Sequence, residues 1–338
     1  MTKLNIRLIL TTIALLTLLT ENYAQNQDRK TVQTKKIEKN GVYGQLFFKE
    51  GSKNLPTVIV VSGSGGGIDY PNKFGEPLAK KGFAVLALPY WKYKDLPDKL
   101  SKIPLEYFYN AIEILKKENS VDKSKIGIIG YSRGGELALL LASRSIDIKA
   151  VVGLSPGAYV APNIDFKNWW DLRSAWTENG NELPFLPEKR AIERGNWNKV
   201  FEQIKKRRNR DSLIVDFKNI KNKPSFEESV IKVENINAPL LLISGGKDLT
   251  WSSESMCDYI IDRLHSNRFE YFNTHLNFPL AGHDFVTLGF EKNADIEDLT
   301  KKYIEADYKP GGTIKDNLRA GMISWKFLVE FLELNLKK

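Results

Sequence analysis

Gly130-Tyr131-Ser132-Arg133-Gly134 fits the pattern G-x-S-x-G. In a nucleophile elbow, a serine flanked in this way sits on a strained turn between a strand and a helix. Its hydroxyl then projects above the sheet, and the helix N-terminus brings a positive dipole end beneath it. The rival role is simpler, because a serine in front of a helix also serves as an N-cap. Context favours the nucleophile: the apolar run KIGIIG at 125–130 leads in, and the helical run RGGELALLLASR at 133–144 leads out.

A serine hydroxyl is a poor nucleophile at neutral pH. It needs a base within hydrogen-bond reach, and the base needs an orienting carboxylate. The chain has three histidines: His265, His275 and His283. His265 falls within the amphipathic pattern SESMCDYIIDRLHS and reads as a surface residue. His275 sits in FNTHLNF, on a strand or at its end. His283 sits in FPLAGHDF, a small-residue loop ahead of the last helix, where a base at the C-terminal edge of a sheet belongs. It is the first choice, with His275 as the alternative. Asp248, in GGKDLTW, follows the apolar run PLLLISGG directly and falls between serine and histidine in chain order. It could also cap the helix that follows, although Ser252 or Ser253 can do that instead. Acyl transfer further requires donors for an oxyanion. The backbone N–H of Arg133 is one, and Ser64 or Gly65 in the loop Ser62-Gly63-Ser64-Gly65-Gly66-Gly67 supplies the other. That loop lacks the Gly-Lys-Ser/Thr of a phosphate loop and the spacing of a dinucleotide fingerprint.

These residues need a scaffold. Short continuous apolar runs at 57–63, 83–90, 125–130, 150–155 and 239–246 suit buried parallel strands, and GVYGQLFF at 41–48 reads as an earlier strand. Helical patterns alternate with them, and a last helix is predicted over 320–336. The alternation predicts an α/β fold with a mostly parallel sheet covered on both faces. Residues 157–236 break the rhythm and are read as an inserted cap. Trp169, Trp170, Trp176 and Trp251 are candidates for lining an apolar acyl pocket, or for packing.

The chain has 338 residues, 42% of them hydrophobic, enough for a large core. Residues 1–24 read as an export signal: Lys3 and Arg7, an apolar run at 8–19, and a small Ala24. The run is shorter than the roughly 20 residues a membrane span needs, so no stable span is expected once the signal is removed. A periplasmic or extracellular location follows. Residues 25–40 are polar and lysine-rich and are expected to form a disordered leader, with the folded domain over 41–338. Cys257 is the only cysteine, which excludes an intrachain disulfide and reads as a buried, inert thiol. The formal charge is +9. Its one dense run, KKRRNR at 205–210, reads as a solvated helix face rather than a nucleic-acid site, since no zinc spacing or RNA-binding signature accompanies it.

The segment from Lys80 to Lys117, with Tyr90, Tyr93, Asp95, Leu96 and LEYF at 105–108, resembles the acyl-CoA thioesterase and bile acid-CoA:amino acid N-acyltransferase family in its C-terminal catalytic domain. Gly311-Gly312, Ala320 and Trp325-Lys326 match the end of that domain. The resemblance implies an α/β-hydrolase fold, related to dienelactone hydrolase, with Ser132, Asp248 and His283 in the nucleophile, acid and base roles. It departs from the family in three ways. Animal members carry a β-sandwich ahead of this domain, the acyltransferase branch uses cysteine where Ser132 stands, and an exported protein meets few coenzyme A thioesters. The expectation is a serine hydrolase of small-molecule esters or thioesters that needs no metal or organic cofactor. The rivals are a peptidase or polysaccharide deacetylase on the same fold, an acyltransferase, and a non-catalytic binding protein.

Overall fold

In the computed structural model, residues 31–165, 168, 171–187, 217–285 and 311–337 are described. The proposed signal at 1–24, Trp169, Trp170 and the basic run at 205–210 lie outside them. The strands are β1 Val32–Lys39, β2 Val42–Lys49, β3 Leu55–Val61, β4 Ala84–Ala87, β5 Ile103–Pro104, β6 Val121–Tyr131, β7 Ile148–Leu154, β8 Trp176–Glu178, β9 Asn181–Glu182, β10 Leu240–Gly245 and β11 Asn273–Phe278. The helices are α1 Asp69–Lys80, α2 Glu106–Leu115, α3 Arg133–Ala142, α4 Phe217–Ile220, α5 Pro224–Ser229, α6 Ser253–Ser266 and α7 Ile314–Leu336.

Eight strands form one sheet in the order β1-β2-β4-β3-β6-β7-β10-β11. Pairing is parallel from β4 through β11, and only the β1/β2 and β2/β4 pairs are antiparallel. The alternating side chains of each central strand divide between two apolar clusters, one on each face. Ile59, Val61, Ile126, Ile128, Leu240 and Leu242 join one cluster. Val58, Val60, Ile129, Leu241 and Ile243 join the other, with α1 and α7 residues such as Phe74, Leu78, Leu328 and Leu332. This two-sided burial is why those strands read as unbroken apolar runs. Every residue of α3 is buried, so the helix after Ser132 is packed on all sides.

Two boundaries differ from the sequence reading. Residues 32–39 are not a leader but the edge strand β1, paired along its length with β2. Only Ile37 of β1 is buried, so the strand carries Lys35, Lys36 and Lys39 with no apolar run. Lysines on an edge strand also discourage pairing with another chain. The signal was the Asn40-Gly41 pair, whose φ values of 53° and 76° make the tight hairpin turn such a dipeptide favours. The last helix starts at Ile314 rather than residue 320, because Thr313 caps it: its Oγ1 accepts the backbone N–H of Asp316 at 3.1 Å.

The described parts of 157–236 are woven into the molecule. A three-stranded sheet β5-β8-β9 joins them to residues 103–104. Ala158, Tyr159, Val160, Ala161, Trp176 and Phe226 are all buried in the core cluster on the α3 side.

Candidate active site

β6 ends at Tyr131 and α3 begins at Arg133, with no loop between them. The turn falls on Ser132 alone, at φ 56° and ψ −120°. A non-glycine residue held there stores about 1–3 kcal/mol of strain. The neighbouring glycines make the turn sterically possible. A Cβ on Gly130 would strike the carbonyl of Gly134, and one on Gly134 would strike the carbonyl of Ser62 at the end of β3. Ser132 does not cap α3 with its side chain.

Its hydroxyl instead lies 2.9 Å from Nε2 of His283. Nδ1 of His283 lies 2.7 Å from Oδ2 of Asp248. Oδ2 of Asp248 also accepts the Ser253 hydroxyl at 2.6 Å, while Oδ1 accepts the backbone N–H groups of Thr250 at 2.8 Å and Trp251 at 3.1 Å. Both carboxylate oxygens are therefore engaged by donors that fix the orientation of the side chain. Ser132, Asp248 and His283 are all buried.

The loops that carry these groups are locked together. Gly245 tolerates no side chain because the Ala281–Gly282 backbone lies against it, so the Asp248 and His283 loops touch. Lys247 N–H donates to Ala281 O at 2.8 Å. From α7, the buried Asn317 accepts the N–H of Gly282 at 2.7 Å and donates to Gly311 O at 3.0 Å. Ser155, just past β7, donates its hydroxyl to the His283 carbonyl at 3.0 Å. The imidazole lies between two aromatic rings, Tyr131 at 5.2 Å and Trp251 edge-on at 5.9 Å, and Trp251 is fixed by its indole N–H on Ser155 O at 3.0 Å. Sequence reasoning missed Ser155 and Asn317 altogether, and it named Tyr131 only as a motif position and Ser253 only as a helix cap, not as neighbours of His283 and Asp248.

Beside the serine, Gly63 is in contact: a Cβ there would sit 2.8 Å from Ser132 Cβ. The Gly63 carbonyl accepts Gly66 N–H at 3.2 Å and the Trp91 indole N–H at 3.4 Å. Tyr90 OH donates to Ser62 O at 2.8 Å and holds the start of the same loop. Ser64 and Gly65 are exposed at the loop's tip. Of the described tryptophans, Trp251 borders His283. Trp176 is fully buried, packed on Tyr90 and Phe108, with its indole N–H on Glu136, so it is a packing residue and not an open pocket wall.

The chain holds a second Ser–Asp–His array. Ser244 Oγ lies 2.6 Å from His275 Nε2, and His275 Nδ1 lies 2.9 Å from Asp258. It has the same chain order as the first, but not its setting: Ser244 lies inside β10, fully buried and without the positive φ of Ser132, and no helix starts directly after it. Burial lowers the pKa of His275, despite the pull of Asp258. Cys257 is buried next to this array, and burial pushes its thiol well up. His265 is exposed on α6. Among the described residues, no group of three His, Cys, Asp or Glu side chains is placed to hold a metal ion, and no helix is long and apolar enough to cross a membrane.

Comparison with known proteins gives this arrangement a context. Among solved structures, a putative dienelactone hydrolase from Klebsiella pneumoniae superposes with a TM-score of 0.52 at 14% identity, covering 89% of this chain and 98% of that one. An acylaminoacyl peptidase from Pyrococcus horikoshii superposes with a TM-score of 0.55 at 16% identity, covering 94% of this chain and 44% of that one. At such identities the likeness establishes the α/β-hydrolase fold alone. In sequence, the chain is 30% identical to mouse acyl-coenzyme A thioesterase 1 over 302 residues, 89% of this chain and 64% of that protein. It is 29% identical to human mitochondrial acyl-coenzyme A thioesterase 2 over 238 residues, 70% of this chain and 44% of that protein. The chain thus spans less than two thirds of these relatives' length. Residues 24–169 match the PET hydrolase-like family model. Residues 103–338, more than half of the chain, match the BAAT / acyl-CoA thioester hydrolase C-terminal model, and the chain belongs to that family.

Proposed function

We propose that the protein is a serine hydrolase of small-molecule acyl esters or thioesters, working through an acyl-enzyme. The observation that carries this reading is the strained Ser132 within 2.9 Å of His283, itself within 2.7 Å of Asp248. His283 Nε2 takes the Ser132 proton as Oγ attacks the acyl carbon, and Asp248 holds the imidazole in the tautomer that accepts it and stabilises the imidazolium. The tetrahedral oxyanion is held by two backbone donors. One is Arg133 N–H at the first position of α3, where no intrahelical carbonyl reaches. For the other, the Gly63 carbonyl is turned to Gly66 and Trp91, and a trans peptide sends the Ser64 N–H the opposite way. That favours Ser64 over Gly65. The C–O or C–S bond breaks and His283 gives its proton to the leaving group. Water, deprotonated by His283, then cleaves the acyl–Ser132 bond, releasing the acid and restoring the serine.

Names of the relatives favour thioesters, in particular acyl-CoA. The PET hydrolase-like match supports a second reading, oxoester hydrolysis. Export through residues 1–24 forms part of the proposal, on the basic start, apolar run and small Ala24 of that segment, and it weighs against acyl-CoA because coenzyme A thioesters are scarce outside the cytoplasm. Fractionation of the native host tests it, with a wholly cytoplasmic protein as the contrary result. The catalytic test is turnover of p-nitrophenyl esters and matched acyl-CoA thioesters by the protein and by Ser132→Ala. Turnover by the wild type alone supports the reading, and the better class decides ester against thioester. No turnover and no labelling by a fluorophosphonate probe would favour a binding protein on a hydrolase fold.

A further inference from the structure

Arg133 and Glu136 form a buried ion pair one helical turn apart, with N–O separation 3.2 Å, and Glu136 is fully buried. A buried pair of this kind gives little stability over an apolar pair, so its placement calls for another reason. Its partners supply one. The Arg133 guanidinium donates to Ala161 O at 3.0 Å, and Glu136 accepts Ala161 N–H at 3.2 Å, so both polar groups of that one residue are gripped. Glu136 also accepts the Trp176 indole N–H at 2.7 Å. Trp176 packs on Tyr90 at 5.6 Å, and Tyr90 OH holds Ser62 O, at the root of the glycine loop. One carboxylate thus connects the helix that bears the Arg133 N–H to the support of the loop that bears the Ser64 N–H.

We infer that Glu136 is a positioning residue for the oxyanion site, setting the spacing of its two backbone donors through Arg133 on one side and Trp176–Tyr90 on the other. The inference rests on the proposed acyl-hydrolase reading. Its consequence is that Ala161 and Trp176, both in the 157–236 insertion, bear on the reaction through Glu136. Val160, next to Ala161, is tied to later parts of the insertion: its N–H donates to Ser229 O at 2.8 Å, and its carbonyl accepts Leu186 N–H at 2.9 Å. A shift of the insertion is then felt at the donors. Misplacement of such groups by about an ångström costs on the order of 100-fold in rate.

The test uses the full chain, with the best substrate from the ester and thioester panel and an alkyl trifluoromethyl ketone of matching chain, which adds Ser132 Oγ to form a tetrahedral oxyanion adduct. Glu136→Gln keeps the size and an acceptor oxygen but removes the charge. The expected result is a kcat lower by about 10- to 100-fold with KM within about threefold, and ketone affinity falling in step with kcat/KM. Trp176→Phe should lose less in the same direction, and Arg133→Lys should retain more activity than Arg133→Met. A purely structural role would lower the melting temperature while the folded fraction kept wild-type kcat, KM and ketone affinity, and this result overturns the inference. If Glu136→Gln does not fold, the Arg133 pair and Trp176→Phe decide on the same readouts. A wild type that neither turns over substrate nor reacts with fluorophosphonate fails the underlying hydrolase reading instead.

Discussion

Ser155 donates its hydroxyl to the carbonyl oxygen of His283 at 3.0 Å while its own backbone is held at φ 44°. Its N–H is spent on Ile243 O at 2.7 Å and its carbonyl on the Trp251 indole. One strained, buried residue at the end of β7 therefore ties β10, the base loop and the ring that flanks the imidazole. Ser155→Ala leaves the His283 carbonyl without that donor. It should destabilise the fold by about 1–2 kcal/mol and lower kcat several-fold with KM unchanged. Urea melts and steady-state kinetics on the same preparation check both, and an unchanged kcat would show that the base loop is held without Ser155.

Gly63 and Gly65 are two residues apart but face different constraints. A Cβ on Gly63 would press on Ser132 Cβ at 2.8 Å and Tyr131 O at 2.9 Å, whereas one on Gly65 meets nothing within 4 Å. Gly63→Ala should therefore move the nucleophile and lower kcat by on the order of 100-fold. Gly65→Ala should stay within about twofold of wild type. Equal kinetics for the two variants would mean that the loop relaxes away from Ser132.

The two serine arrays predict opposite phenotypes. Ser244, fully buried between β7 and β11, contacts His275 at 2.6 Å and Asn277 at 3.2 Å. Ser244→Ala should cost about 1–2 kcal/mol of stability and leave turnover on the folded fraction intact. Ser132→Ala should abolish turnover and fluorophosphonate labelling without lowering the melting temperature, since it removes no side-chain cap. Retained labelling in Ser132→Ala would move the reactive serine elsewhere.

Those arrays also mark the limit of sequence reasoning. Residue type and the order Ser, Asp, His describe Ser244, Asp258 and His275 as well as Ser132, Asp248 and His283. What separated them in the sequence was position: a glycine-flanked strand-to-helix junction, a strand-end aspartate and a small-residue loop. The central strands were legible because burial on both faces makes them unbroken apolar runs. β1 was not, because an edge strand with one buried residue has no such run, although Asn40-Gly41 announced its hairpin. Ser155 and Asn317 were invisible for another reason. Each reaches the His283 loop across a large chain separation, 128 residues from Ser155 to His283 and 35 from Asn317 to Gly282. Trp176 was singled out by type, but its role followed only from the carboxylate it meets.

Asp284, next to His283, gives the protein a pH-dependent weakness. Burial raises its carboxyl from the ordinary 3.8 to about 7, with Lys73 of α1 opposing the rise. The folded state therefore holds a proton that the unfolded chain releases between about pH 4 and 7. Stability from this group is complete below the unfolded value and is lost as pH rises through the folded one, at up to about 1.4 kcal/mol per pH unit. Asp284→Asn, neutral at every pH, should match the wild type near pH 4 and exceed it in stability at pH 8. Urea midpoints for both proteins across that range read the difference directly. A gap that stays constant with pH would show that Asp284 titrates alike in the folded and unfolded chains, with Lys73 or solvent sustaining its charge.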